Sequence, residues 1–230
     1  INIDPSFKSR LRVTPFLRTD IFETLRFNDK NKIYQSSAVE IRWDADSLDA
    51  MFAERIRRLK PKDVRLNKDT KSDSVFEMIS VRHKATPFRH ILRRSFYRPR
   101  DIVVYFNKIR QVHRSTTSGL YSSKDLYSAE PDYSISMYNE LIDEWANQKP
   151  EIETYLAIIQ NIGTQTFARR DFVASFNSVG GRENPAAAND ALLFLFQNSI
   201  VGQKISVNWE YICSNPYMQI NFAKQFHVNN

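Results

Sequence analysis

The stretch RPRDIVVYFN, Arg98 to Asn107, decides how this chain reads. Pro99 follows one arginine and precedes another, and Ile102, Val103 and Phe106 then give an apolar helical face. Proline is pre-set for the first helical position, where its missing N–H had no partner anyway. The spacing therefore predicts a helix from Pro99 to about Val112. That start puts Arg98 and Arg100 at the positive end of the helix dipole, where cations are locally unfavourable. Two cations in that place fit an anion site, most simply one for phosphate. A solvated helix start with two surface arginines fits them equally well.

Upstream of this stretch, Pro87–Phe96 holds Phe88, Ile91, Leu92 and Phe96 at helical spacing. Asp44–Ser47 supply caps for an amphipathic helix with Leu48, Met51, Phe52, Ile56 and Leu59 on one face, ending before Pro61. Residues 62–74 are charged and aperiodic and read as a loop; Val75–Val81 is a short apolar segment. Ala38–Trp43 alternates like a half-buried strand. Arg12–Leu17 reads as a short strand despite Pro15, followed by a helix start at Thr19 or Asp20 and a polar loop at Asn28–Lys32.

Downstream, residues 114–132 are rich in Ser, Thr and Tyr and read as a linker. Four helical patterns follow. Tyr138, Leu141, Ile142 and Trp145 mark the first, and Ile152–Ile162 the second, stopped by Gly163. Thr166 is the expected cap of a third, and Pro185 opens a fourth through Leu192, Leu195 and Phe196. Short strand-like pieces close the chain at Ile200–Val201, Ile205–Trp209, Tyr211–Cys213 and Met218–Val228. Three short helices followed by a hairpin are the outline of a winged helix.

Composition bounds the function. The chain has 230 residues, of which 42% are hydrophobic and 13% aromatic, enough for a real core. Its net charge of +7 favours an acidic partner such as nucleotide or nucleic acid. The charge is concentrated in Arg55–Lys62 and Arg82–Arg100. A single cysteine, Cys213, excludes an intrachain disulfide and fits a reducing cytoplasm. The four histidines are scattered, so no metal site is expected. No run reaches the ~18 apolar residues of a membrane span. Paired acids such as Asp143/Glu144 and Glu151/Glu153 sit at surface spacing and do not suggest a self-contained enzyme.

A family resemblance now enters. FLRTDIFETLRF (16–27) with NDKNK and EIRWDADSLDAMFAERI (40–56) resembles the later part of bacterial P-loop ATPase cores related to the KAP and STAND groups. HILRRSFYRPRDIVVYFNKI (90–109) is similar to their lid motif, and LLFLFQNSIVG (192–202) with FAKQFHVNN (222–230) to their terminal winged helix. The fold class that the resemblance implies is an α/β remnant followed by mainly α structure. Residues 1–43 would be the last strands of the P-loop core, 44–113 a helical AAA-like lid with the RPRD sensor motif, 114–132 a linker and 133–230 the winged helix. Arg18 would face the phosphate side as a sensor, oriented by Asp20. Arg100, with Arg98 as runner-up, would be the lid arginine that reaches the γ-phosphate, supported by Asp101. Asn107 would make a packing or capping hydrogen bond on the same helix.

The chain contains no G-x-x-x-x-G-K-[ST] and no apolar run ending in paired acids before Arg18. The resemblance therefore assigns the ATP and Mg²⁺ cradle to residues upstream of Ile1. It implies a homo-oligomer, or a partner effector in bacterial anti-phage defence. The alternative is a basic winged-helix protein that binds nucleic acid. Against base readout, the candidate recognition helix PAAANDALLFLFQN (185–198) carries no Lys or Arg, which favours a protein partner for it.

Overall fold

A computed structural model describes residues 14–18, 21–22, 25–59, 71–77, 80–113, 119–180 and 184–229. The chain divides into two units, Ile1–Arg42 and Trp43–Asn230.

In the first unit, helix α1 (Lys30–Ser37) buries none of its residues. It begins inside the expected Asn28–Lys32 loop. The Phe22 ring lies 5.7 Å from Tyr34 and 6.2 Å from Phe27. No described residue from 14 to 43 is in a strand, so the expected end of an α/β core is not found among them. Residues 12 and 13 and Asp20 lie outside the described residues. Val39 and Ile41 do alternate, but they stand 87% and 69% exposed. An alternating pattern makes a strand only when a neighbour takes up its backbone N–H and C=O groups.

The second unit is mostly helical. Helix α2 (Ala45–Leu59) starts at a reciprocal cap: the Ser47 N–H donates to Asp44 Oδ1 and the Asp44 N–H to Ser47 Oγ. Next come a 3-10 turn at Ser72–Val75, α3 (Pro87–Leu92) and α4 (Pro99–Val112). Thr86 caps α3 through its side chain. The 3-10 turn takes up the end of the expected 62–74 loop and runs on into Val75. It is pinned to α2, since the Ser72 N–H donates to Asp49 Oδ1 at 2.9 Å.

Residues 119–132 are not a linker. Helix α5 (Ser123–Ser128) opens with a full capping box between Ser122 and Asp125. Helix α6 (Glu130–Trp145) follows directly. Leu126, Ala129 and Tyr133 sit three and four residues apart, and all are buried. Phe76 bridges to Tyr121, and the His113 ring meets the Asp125 carboxylate at 3.0 Å. Ser and Tyr composition suggested a linker because the apolar stripe is only one residue wide; the capping box was the better signal. These helices enclose a core of Leu48, Phe52, Phe88, Ile91, Ile102, Tyr105 and Leu126, with Phe52 stacked on Phe106 at 3.8 Å.

The remainder builds a second core. Helix α7 (Ile152–Ile162) ends at Gly163, whose φ of 71° is the left-handed cap a glycine accepts without strain. Then come β1 (Thr166–Ala168), α8 (Arg169–Gly180), α9 (Pro185–Gln197), β2 (Val201–Ile205), β3 (Asn208–Glu210) and β4 (Gln225–Val228). Thr166 is in a strand rather than capping a helix. The Asp171 carboxylate takes up the Ala168 N–H at the head of α8 instead. The sheet is antiparallel, in the order β1-β4-β2-β3, with Phe167 opposite Phe226 and Val201 opposite Val228. Tyr211–Cys213 and Met218–Lys224 lie outside the strands. Phe167, Phe172, Leu192, Leu195, Phe196, Val201 and Phe226 fill the space between sheet and helices.

The burial of α5 can be tested. Leu126→Ala should destabilise the protein by about 2–5 kcal/mol, as for other fully buried leucines. Urea unfolding checks it, and a change below about 0.5 kcal/mol would return 119–132 to the status of a linker.

Candidate functional site

The N-terminus of α4 lies where the two cores meet. Arg98 is the extended residue just before the helix and Pro99 takes the first position, as the sequence predicts. Asp101 follows in the first turn and is completely buried. One of its carboxylate oxygens, Oδ2, accepts the Phe96 N–H at 2.8 Å. The other, Oδ1, has no hydrogen-bond partner among the described residues. Burial pushes the Asp101 carboxyl up to about 6, against the opposing pull of the Phe96 N–H and Arg98; Glu140 adds to the rise.

The two arginines are engaged across the junction. Arg98 pairs with Glu144 at 2.7 Å, and Arg100 pairs with Glu140. Both glutamates are on α6, one turn apart, so the two guanidinium heads are held within about a turn of each other. The Glu144 side chain is only 9% exposed, whereas that of Arg100 is 59% exposed. Glu144 is thus largely desolvated, while Arg98 keeps 36% of its side chain exposed and Arg100 more. From the C-terminal part, Cys213 closes the other side. Its N–H donates to Ser199 Oγ, and burial pushes its thiol up to about 11, with Arg98 and Asp101 both within electrostatic reach.

A second polar cluster forms where α3 meets α6. The ring of His90 is 3% exposed and meets Glu130 at 2.6 Å, and Arg94 joins the same carboxylate at 3.3 Å. Burial, and then the Arg94 charge, lowers the His90 pKa in spite of Glu130. The Tyr133 hydroxyl donates to the Arg94 carbonyl. This cluster locks α3 against α6 and has the geometry of a structural network.

The structure therefore brings Arg98, Arg100 and Asp101 together. Arg18 lies in the other unit, in an exposed irregular segment whose carbonyl accepts the Phe22 N–H. Asp20 is outside the described residues. Asn107 is exposed on α4, and its side chain makes no hydrogen bond to a described residue, so the expected packing or capping bond is not formed. Sequence reading missed Glu140, Glu144 and Cys213. The glutamates had a signal: a spacing of four on one helix face, matched in sign to two arginines two residues apart. Among the described residues, no group of three or more His, Cys, Asp or Glu could hold a metal ion. None of the described helices is long and apolar enough to cross a membrane.

Residues 46–142 match the model of the FunZ-associated C-terminal helical domain. The match runs from α2 into α6 and takes in Arg98, Arg100, Asp101 and Glu140, but stops short of Glu144 and of most of the second core. No curated protein and no solved structure matches the chain.

Asp101 makes a pH prediction. Its folded pKa near 6 lies above the value of 3.8 for a free aspartate, so the folded state holds the proton more tightly. Stability from this group is then greatest below about pH 4 and falls as pH rises towards 6 and beyond, by up to about 3 kcal/mol. Asp101→Asn should remove that slope and raise the unfolding midpoint at neutral pH. An unchanged profile of unfolding free energy from pH 4 to 7 would show that Asp101 is not desolvated as described.

Proposed function

We propose that this chain is the nucleotide-sensing lid and regulatory interaction module of a P-loop ATPase, with the second core acting as a winged helix that contacts protein. The observation that carries this reading is the pairing of Arg98 and Arg100, at a helix N-terminus, with two glutamates of the helix that enters both cores. The match to a FunZ-associated C-terminal helical domain supports a modular role for 46–142. Resemblance to the KAP and STAND groups supplies the ATPase itself, and with it a setting in bacterial anti-phage defence beside an effector or in an oligomer.

The residues fit one end of ATP. Two guanidinium groups held about a turn apart at a helix start suit a terminal phosphate, which presents several oxygens and a full negative charge. Bound nucleotide would supply that charge; the protein's own contribution is to aim and release the arginines. Arg100 is half free in water and would swing first, leaving Glu140. Arg98 would follow by leaving Glu144, which has little solvent around it. Each released glutamate loses its counter-ion, and α6 then shifts against α4. Because α6 enters both cores, the C-terminal part would move with it. Mg²⁺ finds no ligand set among the described residues of this chain.

The winged-helix reading is supported by the order helix, strand, helix, helix, strand, strand, strand and by β4 lying between β1 and β2. A protein partner is supported by α9. Its buried residues are Ala188, Ala191, Leu192, Leu195 and Phe196, and Asp190 is on its exposed side. An uncharged or acidic outer face is poorly suited to a DNA groove.

The test is ATP turnover by the natural full-length protein. Arg100→Ala should lower the rate by about a hundredfold, the usual cost of losing one group that stabilises transition-state charge. Folding should change little, because exposed ion pairs contribute about 0–1 kcal/mol. Glu140→Gln should tighten nucleotide binding by freeing the arginine. Unchanged turnover in Arg100→Ala, with wild-type binding in Glu140→Gln, would overturn the proposal.

A further inference from the structure

The basic residues of this chain are not spread evenly. Between Glu77 and Asp101 there are seven lysines and arginines and no acidic residue. Three of the seven are neutralised by carboxylates of α6: Arg94 by Glu130, Arg98 by Glu144 and Arg100 by Glu140. The other four, Arg82, Lys84, Arg89 and Arg93, are exposed, and none has a carboxylate partner among the described residues. The fold thus pairs three of the seven cations and leaves four facing water.

The block is held in place. Val81 and Ala85 close the 3-10 turn Arg82–Lys84, the Val81 N–H donating to the Ala85 carbonyl at 2.8 Å. The Arg82 N–H donates to the Tyr127 hydroxyl, and the Arg82 guanidinium lies 4.2 Å from the centre of the Tyr127 ring. The same ring meets the ring of His90 edge-on, so Tyr127 links the turn to α3. On α3 and its last turn, Arg89 and Arg93 are four residues apart and share one face. Both lie within electrostatic reach of the half-buried Tyr97 hydroxyl.

We propose that residues 82–93 form a binding face for the phosphate backbone of nucleic acid, without base readout. Charge complementarity identifies the partner. Three of the four cations are arginines, whose planar fork pairs with phosphate oxygens two at a time. Arginine stacked on tyrosine is the mixture that backbone-tracking grooves use. The face belongs to the helical domain, whereas α9 presents no lysine or arginine. Nucleic-acid contact and the protein contact assigned to α9 are therefore separate surfaces. This inference does not depend on the ATPase reading.

The experiment is fluorescence anisotropy with a labelled short DNA duplex and the matching single strand, using the 230-residue chain. Four phosphate contacts give a slope of about −3.6 in log affinity against log salt on duplex, a loss of roughly 150-fold between about 50 and 200 mM. Arg89→Gln with Arg93→Gln should halve the slope, leaving a loss of roughly 12-fold over the same range. Arg82→Gln with Lys84→Gln should do the same from the other half of the face and guards against a folding defect in the first variant. Arg110→Gln with Lys124→Gln, an equal change of charge elsewhere, should keep the wild-type slope. Unequal binding of duplex and single strand would report which form the face prefers and still support it. No binding by wild type, a slope unmoved in both face variants, or an equal loss in the control would overturn it. So would a polyglutamate peptide that binds as tightly as DNA at the same salt, which would assign the face to an acidic protein.

Discussion

Everything in the larger unit depends on α6 being shared. Its first half, Tyr133 and Met137, is built into the helical core beside Tyr105 and Leu126. Its second half, Leu141 and Trp145, is built into the C-terminal core beside Leu156 and Phe194. A helix that buries one stripe in two successive cores cannot tilt for one without disturbing the other, because close-packed interiors do not deform continuously. Burial of four such side chains contributes on the order of 6–12 kcal/mol. The cores are therefore coupled by packing. Phe96, which packs against both, reinforces the coupling on the other side of the junction.

Polar interactions then refine what packing sets. Carboxylates spaced along α6 each take one basic residue of the α3–α4 segment: Glu130 takes Arg94, Glu140 takes Arg100 and Glu144 takes Arg98. Their worth rises with burial, from little for Arg100 in water to more for Arg98, where a charge left alone would be costly. Such pairs fix the register of α4 on α6. They also leave Arg89 and Arg93 without a carboxylate partner among the described residues.

Much of this was legible in the sequence, for specific reasons. Pro99, Gly163 and Pro185 mark helix boundaries through backbone chemistry that no tertiary contact can override, and each boundary stands where the sequence puts it. The apolar spacing of Leu48, Phe52 and Ile56, and of Ile152, Tyr155 and Ile159, is strong enough to fix a helix alone. Thr166 misled because a hydroxyl beside a helical pattern reads as a cap, whereas its pairing with His227, more than fifty residues on, is invisible locally. Val39 and Ile41 misled in the opposite direction: they have the pattern of a strand and no described strand beside them. At the site, the arginines were visible because proline framed them. Their partners left only a faint mark, the spacing of Glu140 and Glu144 on one helix face, because an ion pair between residues some forty positions apart does not show which arginine meets which acid.

Asp101 shows where this architecture keeps its reserve of instability. A carboxylate in the first turn of a helix is normally favoured by the dipole, and Arg98 and Arg100 add to that. Burial nevertheless prevails, since the net shift is upward and Oδ1 has no hydrogen-bond partner among the described residues. An unpaired buried acceptor costs about 1–3 kcal/mol, and nothing in the helical core requires it there. The cost falls at the junction of α4 and α6, beside Arg98 and Arg100, which pair with Glu144 and Glu140 of α6. Strain confined to the contact between two otherwise well-packed cores lowers the free energy of separating them while leaving each core intact. A junction of that kind is suited to changing its arrangement when the charge around Arg98 and Arg100 changes.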